Sequence, residues 1–183
     1  MIHPPIDPTN ANGLAWSSWL APLLACYGCA NHKSIIEVGM GHFSTPSLHN
    51  LAISSGGTMV SLESAPGWAN GFKGYGDSHL VLKGPYKGLI VAARAYAEAH
   101  GRFGVALIDQ SPEEGKESCG ESRRDAFLLL QDVCDYLVVH DYCHSMPIAI
   151  DPHLHGLNWK VLNDYHPPTL VASKTLPLPK VLL

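Results

Sequence analysis

Four short polar clusters interrupt otherwise apolar stretches of this chain. Gly39-Met40-Gly41-His42-Phe43-Ser44 follows Ser34–Val38. Glu63-Ser64 closes the run from Thr58, Asp109-Gln110 follows Phe103–Ile108, and His140-Asp141 follows Asp135–Val139. The glycine pair lets the backbone turn tightly and come close to a ligand. A helix opening just after it offers N–H groups and a positive dipole end to an anionic group. A carboxylate at Glu63 can accept two hydrogen bonds from a ribose diol. Imidazole and carboxylate together, as in the stretch from His140 through Asp141, Cys143, His144, Asp151 and His153 to His155, can bind zinc, manganese or iron.

These groups need elements to place them. Trp16, Trp19, Leu20, Leu23, Leu24 and Tyr27 form one helical face, and Pro22 within it predicts a kink or break. Strands are expected at Ser34–Val38, Thr58–Glu63, Ser78–Leu82, Phe103–Ile108 and Asp135–Val139. Helices are expected from an N-cap at Thr45 with Pro46 in the first turn to about Ser55, around Leu89–Ala97, and around Ala126–Cys134. Gly67 to Gly76, Ser111 to Ser122 and the stretch from Tyr142 to Leu157 read as loops. Asn158–Asp164 and Thr169–Ser173 read as strands, and the short link between them permits only an antiparallel pair. Strands alternating with helices imply an α/β fold, a Rossmann-like, doubly wound, mostly parallel sheet with a C-terminal antiparallel hairpin and helices on both faces. In such a sheet ligands bind beyond the carboxyl ends of the strands, where the four clusters fall. The expected organisation is a single domain over 1–183, with a helical lead-in at 1–33, the core at 34–173 and a tail at 174–183.

Composition narrows the partners. The chain has 183 residues, 46% hydrophobic and 15% charged, which fits a globular protein and argues against extensive disorder. Lys plus Arg is 12 against 16 for Asp plus Glu, and Arg123-Arg124 is the only arginine pair, with no basic cluster around it. Nucleic acid is therefore a disfavoured partner. No apolar run approaches the length of about 20 residues that spans a bilayer, so no membrane is expected. The N-terminus lacks the charged-then-apolar pattern of a secretory signal. Five cysteines with irregular spacing suit reduced thiols and a cytoplasmic location. Cys26-Tyr-Gly-Cys29 stands alone without a second ligand pair for zinc, and reads as two small residues near a helix end. A homodimer follows if Trp16, Trp19 and Leu23 face a partner rather than the core.

The segment Ile35-Ile36-Glu37-Val38-Gly39-Met40-Gly41, with strand-end Glu63 and Asp109 and the closing hairpin, resembles class I S-adenosylmethionine-dependent methyltransferases. Gly39 to Thr45 and Val138-Val139-His140-Asp141 look most like the branches acting on small molecules or sugars. The resemblance covers roughly Ser34 to Ser173. It implies methyl transfer from S-adenosylmethionine to a small-molecule acceptor. It implies that Glu37, Gly39, Met40, Gly41 and Ser44 hold the methionine end of the cofactor and that Glu63 and Ser64 hold the ribose side. Asp109 and Asp141 would face the acceptor, directly or through a divalent metal ion that they bind, with His140 as general base. The pattern departs from the family where Phe43 replaces the third glycine. Asp109-Gln110-Ser111-Pro112 lacks the motif of nucleic-acid amino-methylating enzymes, and no Cys-Pro is present for cytosine-carbon methylation.

Three alternatives share parts of this pattern. A dinucleotide oxidoreductase would use the glycine loop and Glu63, but position 44 is Ser where its fingerprint has Gly. A metal-dependent hydrolase would use the His-rich 140–155 region. A non-catalytic module would bind S-adenosylmethionine or a nucleotide without turning it over.

Overall fold

The computed structural model describes residues 18–72, 75–111, 118–164 and 167–183. Seven strands form one sheet: β1 (Ile35–Val38), β2 (Met59–Glu63), β3 (His79–Lys83), β4 (Phe103–Ile108), β5 (Cys134–Val139), β6 (Asn158–Leu162) and β7 (Thr169–Ser173). Their spatial order is β3-β2-β1-β4-β5-β7-β6. The first five are parallel, while β7 runs antiparallel to both β5 and β6. This is the α/β architecture expected from the sequence, including the closing hairpin.

Every residue of β1, β2, β4, β5 and β7 is buried. That is why these strands read as mostly apolar runs rather than alternating ones. Successive side chains still point to opposite faces. Ile36, Val38, Ala106 and Ile108 meet Ile90 and Phe127 on one side, while Ile35, Val105 and Leu107 meet Leu23 and Leu48 on the other. The first face is covered by α4 (Tyr86–His100), α5 (Cys119–Leu130) and α6 (Ser145–Ile150). The second is covered by α1 (Leu20–Cys29), α2 (Ser44–Ser54) and the C-terminal tail, where Leu178 and Leu182 are buried. A short helix α3 (Pro66–Ala69) stands after β2.

Several local expectations change. Pro22 does not break α1, because it falls in the first turn, where the N–H that proline lacks has no helical partner. Trp16 lies outside the described residues, and Trp19 and Leu23 are core residues, so they offer no dimer face. The second helix starts at Ser44 with Phe43 at the N-cap position, not at Pro46 behind a Thr45 cap. Thr45 is occupied elsewhere, as described below. Cys119 opens α5 behind Ser118, whose side chain caps Glu121 N–H while Glu121 reaches back to Ser118 N–H. Val133 and Cys134 therefore precede or begin β5 rather than extend the helix. The expected loop from Tyr142 to Leu157 contains α6 and a 3₁₀ turn, Asp151–His153. Cys26 is buried and Cys29 exposed, both as free thiols, and burial pushes the Cys26 thiol up. Among the described residues, no helix is long and apolar enough to cross a membrane.

Candidate functional site

Strands β1, β2, β4 and β5 deliver their polar ends to one edge of the sheet, and two cavities open there. The first, about 400 Å³, is lined by Gly39 to Ser44, Trp68, Asp109, Arg123, His140 and Asp141, among others. The second, about 810 Å³, is lined by Glu63, Ser64, Ala65, Pro85 and Tyr86, among others. Gly39, Met40, Trp68, Asp109 and Ser111 border both. One molecule reaching from one cavity to the other would therefore pass over the glycine loop.

The loop's shape follows from its residues. Gly39 has φ +90°, and a Cβ there would lie 2.7 Å from the Gln110 Cα. The first glycine thus serves the crossing of the β1 and β4 ends as well as any ligand. Glu37, expected to touch a cofactor, is buried and borders neither cavity. It acts beneath the loop. Thr45 Oγ1 donates to Glu37 Oε2 at 2.8 Å and accepts from Gly41 N–H at 3.0 Å. This is the use of Thr45 that replaces capping. Ser61 Oγ also donates to Glu37 Oε2, at 3.0 Å, and meets His79 Nε2 at 2.9 Å. Burial pushes the Glu37 carboxyl up to about 8, and burial beside His49 pushes His79 down to about 4. Both groups are therefore neutral near pH 7.

The Glu37 shift sets a pH dependence. Below the ordinary carboxyl pKa, both folded and unfolded chains carry the proton. Between about 4.5 and about 8 only the folded chain does, so stability is lost as pH rises through that window. In chemical denaturation, wild type is expected to lose stability between pH 5 and pH 8 relative to Glu37→Gln, which has no proton to lose.

Glu63 is buried and faces the second cavity. Its Oε2 accepts from Met40 N–H at 3.0 Å and its Oε1 from Ala65 N–H at 2.7 Å. Tyr86 hydroxyl lies 3.5 Å from Oε1, and burial with the nearby Glu63 charge pushes the phenol up to about 12. The carboxylate is thus fixed in direction, with lone pairs remaining for a ligand's hydroxyls. Ser64 lines the same cavity, and Ser44 lines the first.

Asp109, His140 and Asp141 come together, and among the described residues they form the only set of three such side chains able to share an ion, their ligand atoms within 4.8 Å of one another. His140 Nδ1 lies 3.1 Å from Asp109 Oδ1, and Nε2 lies 3.6 Å from Asp141 Oδ1. Nδ1 is buried and, among the described residues, has no hydrogen-bond partner. Carboxylates beside the two nitrogens of one buried imidazole fit a divalent ion. His144, His153, His155 and Cys143 do not join this set, and Asp151 instead accepts from the Tyr142 hydroxyl at 2.6 Å.

Two site residues had no role in the sequence reading. Arg123, 4% exposed, donates from Nε to the Gln110 carbonyl at 2.9 Å, from Nη2 to Asp109 Oδ1 at 3.0 Å, and from Nη1 to the His140 carbonyl. One guanidinium thus ties α5 to the ends of β4 and β5. Trp68, 44% exposed, donates its indole N–H to the Met40 carbonyl at 2.7 Å and stands between the cavities against the His42 ring. A tryptophan just after a strand-two acid was the available signal. Trp68→Ala is expected to weaken binding of a ligand spanning both cavities about tenfold, by loss of ring contact area. A calorimetric titration checks this.

No protein-family profile and no curated protein matches the chain. Solved structures do. The O-methyltransferase from Bacillus cereus in complex with S-adenosylhomocysteine superposes with TM-score 0.57 at 14% identity, over 92% of this chain and 83% of that one. Human methyltransferase-like protein 13, also with S-adenosylhomocysteine, gives 0.56 at 13% identity, over 88% of this chain and 82% of that one. The fold is that of the class I S-adenosylmethionine-dependent methyltransferases. In this methyltransferase-like fold the glycine loop, the β2-end acid and the β4 and β5 ends all face the two joined cavities.

Proposed function

We propose that this chain transfers a methyl group from S-adenosylmethionine to a small-molecule acceptor at the carboxyl edge of its sheet. One observation carries the reading. A carboxylate fixed for a diol (Glu63) lines one cavity and a proton-accepting pair (His140, Asp141) lines the other, with Asp109 and the glycine loop bordering both. That separation suits a cofactor whose ribose and reactive sulfonium are held apart, with the acceptor beyond the sulfonium.

Methyl transfer from a sulfonium is an in-line displacement, so the protein's tasks are positioning, exclusion of water and removal of the acceptor's proton. Gly39, Met40, Gly41 and Ser44 hold the methionine end, with Glu37 bracing the loop from below through Thr45. Glu63 and Ser64 hold the ribose side. Asp109 and Asp141 orient the acceptor, and His140 takes its proton. A divalent ion held by Asp109 and Asp141 would lower the pKa of an acceptor hydroxyl.

Isothermal titration with S-adenosylmethionine, S-adenosylhomocysteine and NAD tests the reading. Binding of the two sulfur nucleosides without NAD is the expected result. Binding of NAD in their place would overturn it in favour of a dinucleotide enzyme.

A further inference from the structure

We infer that His140 is a ligand of the ion at this site, through Nδ1, and that the site selects a first-row transition ion over Mg²⁺, with Ser18 fixing the imidazole from behind. The inference deepens the reading above and rests on it for the ion's purpose, but not for the ion's binding.

The two ring nitrogens of His140 have different neighbours. His140 is 6% exposed, and its Nε2 lies 3.0 Å from the Ser18 hydroxyl. A serine oxygen can accept the ring N–H there, which leaves the Nδ1 lone pair on the side of Asp109. Among the described residues Nδ1 has no hydrogen-bond partner, yet it stands 3.1 Å from Asp109 Oδ1. A lone pair facing a carboxylate oxygen at that separation, in a buried place, is stabilised by a cation that both can bind. Asp141 supplies the second carboxylate: its Oδ1 stands 3.6 Å from Nε2, and one ligand atom from each of the three residues lies within 4.8 Å of the others.

Charge agrees with this. Asp109 and Asp141 line the first cavity with one guanidinium, Arg123, which pairs with Asp109, so these groups keep a net negative charge when the ring is neutral. Arg123 also bonds the carbonyls behind Asp109 and His140, so it holds the frame of the site. Metal-ligating histidines commonly donate their other ring N–H to an outer acceptor, which sets the tautomer and ring direction. Ser18 occupies that position.

The donor set then sets the preference. Mg²⁺ takes oxygen ligands and keeps its waters, whereas imidazole suits first-row transition ions. With the ion bound, His140 is a ligand, and its service as a base belongs to the ion-free protein.

The test titrates metal-stripped protein with CoCl₂ and with MgCl₂, following Co²⁺ by its visible absorption and by proton NMR. Expected are one Co²⁺ bound at least about tenfold more tightly than Mg²⁺, no sulfur-to-metal absorption, and a hyperfine-shifted, exchangeable ring N–H resonance. In His140→Asp that resonance is lost and the preference for Co²⁺ falls to near parity. Equal affinities in wild type, no Co²⁺ binding, or an unchanged preference in His140→Asp would overturn the inference. If His140→Asp does not fold, Ser18→Ala decides: about tenfold weaker Co²⁺ binding supports the inference, and unchanged binding overturns it. S-adenosylhomocysteine binding, measured on the same protein, separates the two readings. Its loss would count against methyl transfer and leave the metal result standing.

Discussion

Replacing Glu63 by alanine is expected to raise the dissociation constant for S-adenosylhomocysteine about 100-fold, from two charge-assisted hydrogen bonds to the ribose at about 1.5 kcal/mol each. The effect has two sources. The ligand loses its diol partner. Met40 and Ala65 N–H also lose the carboxylate that holds the two sides of the second cavity together. Glu63→Gln separates them, because an amide keeps one acceptor oxygen but turns an NH₂ toward one of the two backbone donors. It is expected to bind about tenfold more weakly than wild type. Calorimetry at constant pH measures both. Unchanged affinity in Glu63→Ala would remove the ribose assignment.

The second large effect is on stability. Arg123→Met is expected to cost about 3 kcal/mol, because the buried carbonyls of Gln110 and His140 lose their donor and Asp109 loses its guanidinium. For a chain of this size that lowers the melting temperature by about 10 °C. Arg123→Lys keeps the charge but not the fork, and is expected to recover less than half of the loss. Denaturation midpoints for the two variants check this, and a change within experimental scatter for Arg123→Met would show that the guanidinium does not hold the β4 and β5 ends.

The contrast between Glu63 and Arg123 shows what the sequence carried. Strand ends were legible because the buried bodies of β1, β2, β4 and β5 are mostly apolar, and the polar residues at their ends stand out locally. Glu63, Asp109, His140 and Asp141 were found in this way. Arg123 was visible as half of an arginine pair, but its three bonds go to residues 13 to 17 positions earlier or later, on two other elements. No local spacing reports that. Ser18 meets His140 across 122 residues, which is further from any pattern.

Glu37 and Thr45 are a different case. The residues were identified, but their roles moved. A carboxylate two positions before a glycine points from the sheet face toward α2, not toward the loop's ligand side, and it draws in Thr45, which sequence alone assigned to a helix cap. Likewise Trp19 and Leu23 look equally apolar whether they face a partner or the core. The sheet face that β4 and β5 present settles which.

The central claim is that a sulfur nucleoside lies across both cavities over the glycine loop. Amide chemical shifts of ¹⁵N-labelled protein, recorded as S-adenosylhomocysteine is added, test it most directly. The account predicts saturable shifts at Met40, Gly41, Glu63, Ser64 and Ser111, with little change at His144, His153 and His155. Shifts confined to those three histidines, or no shifts at any concentration, would contradict it.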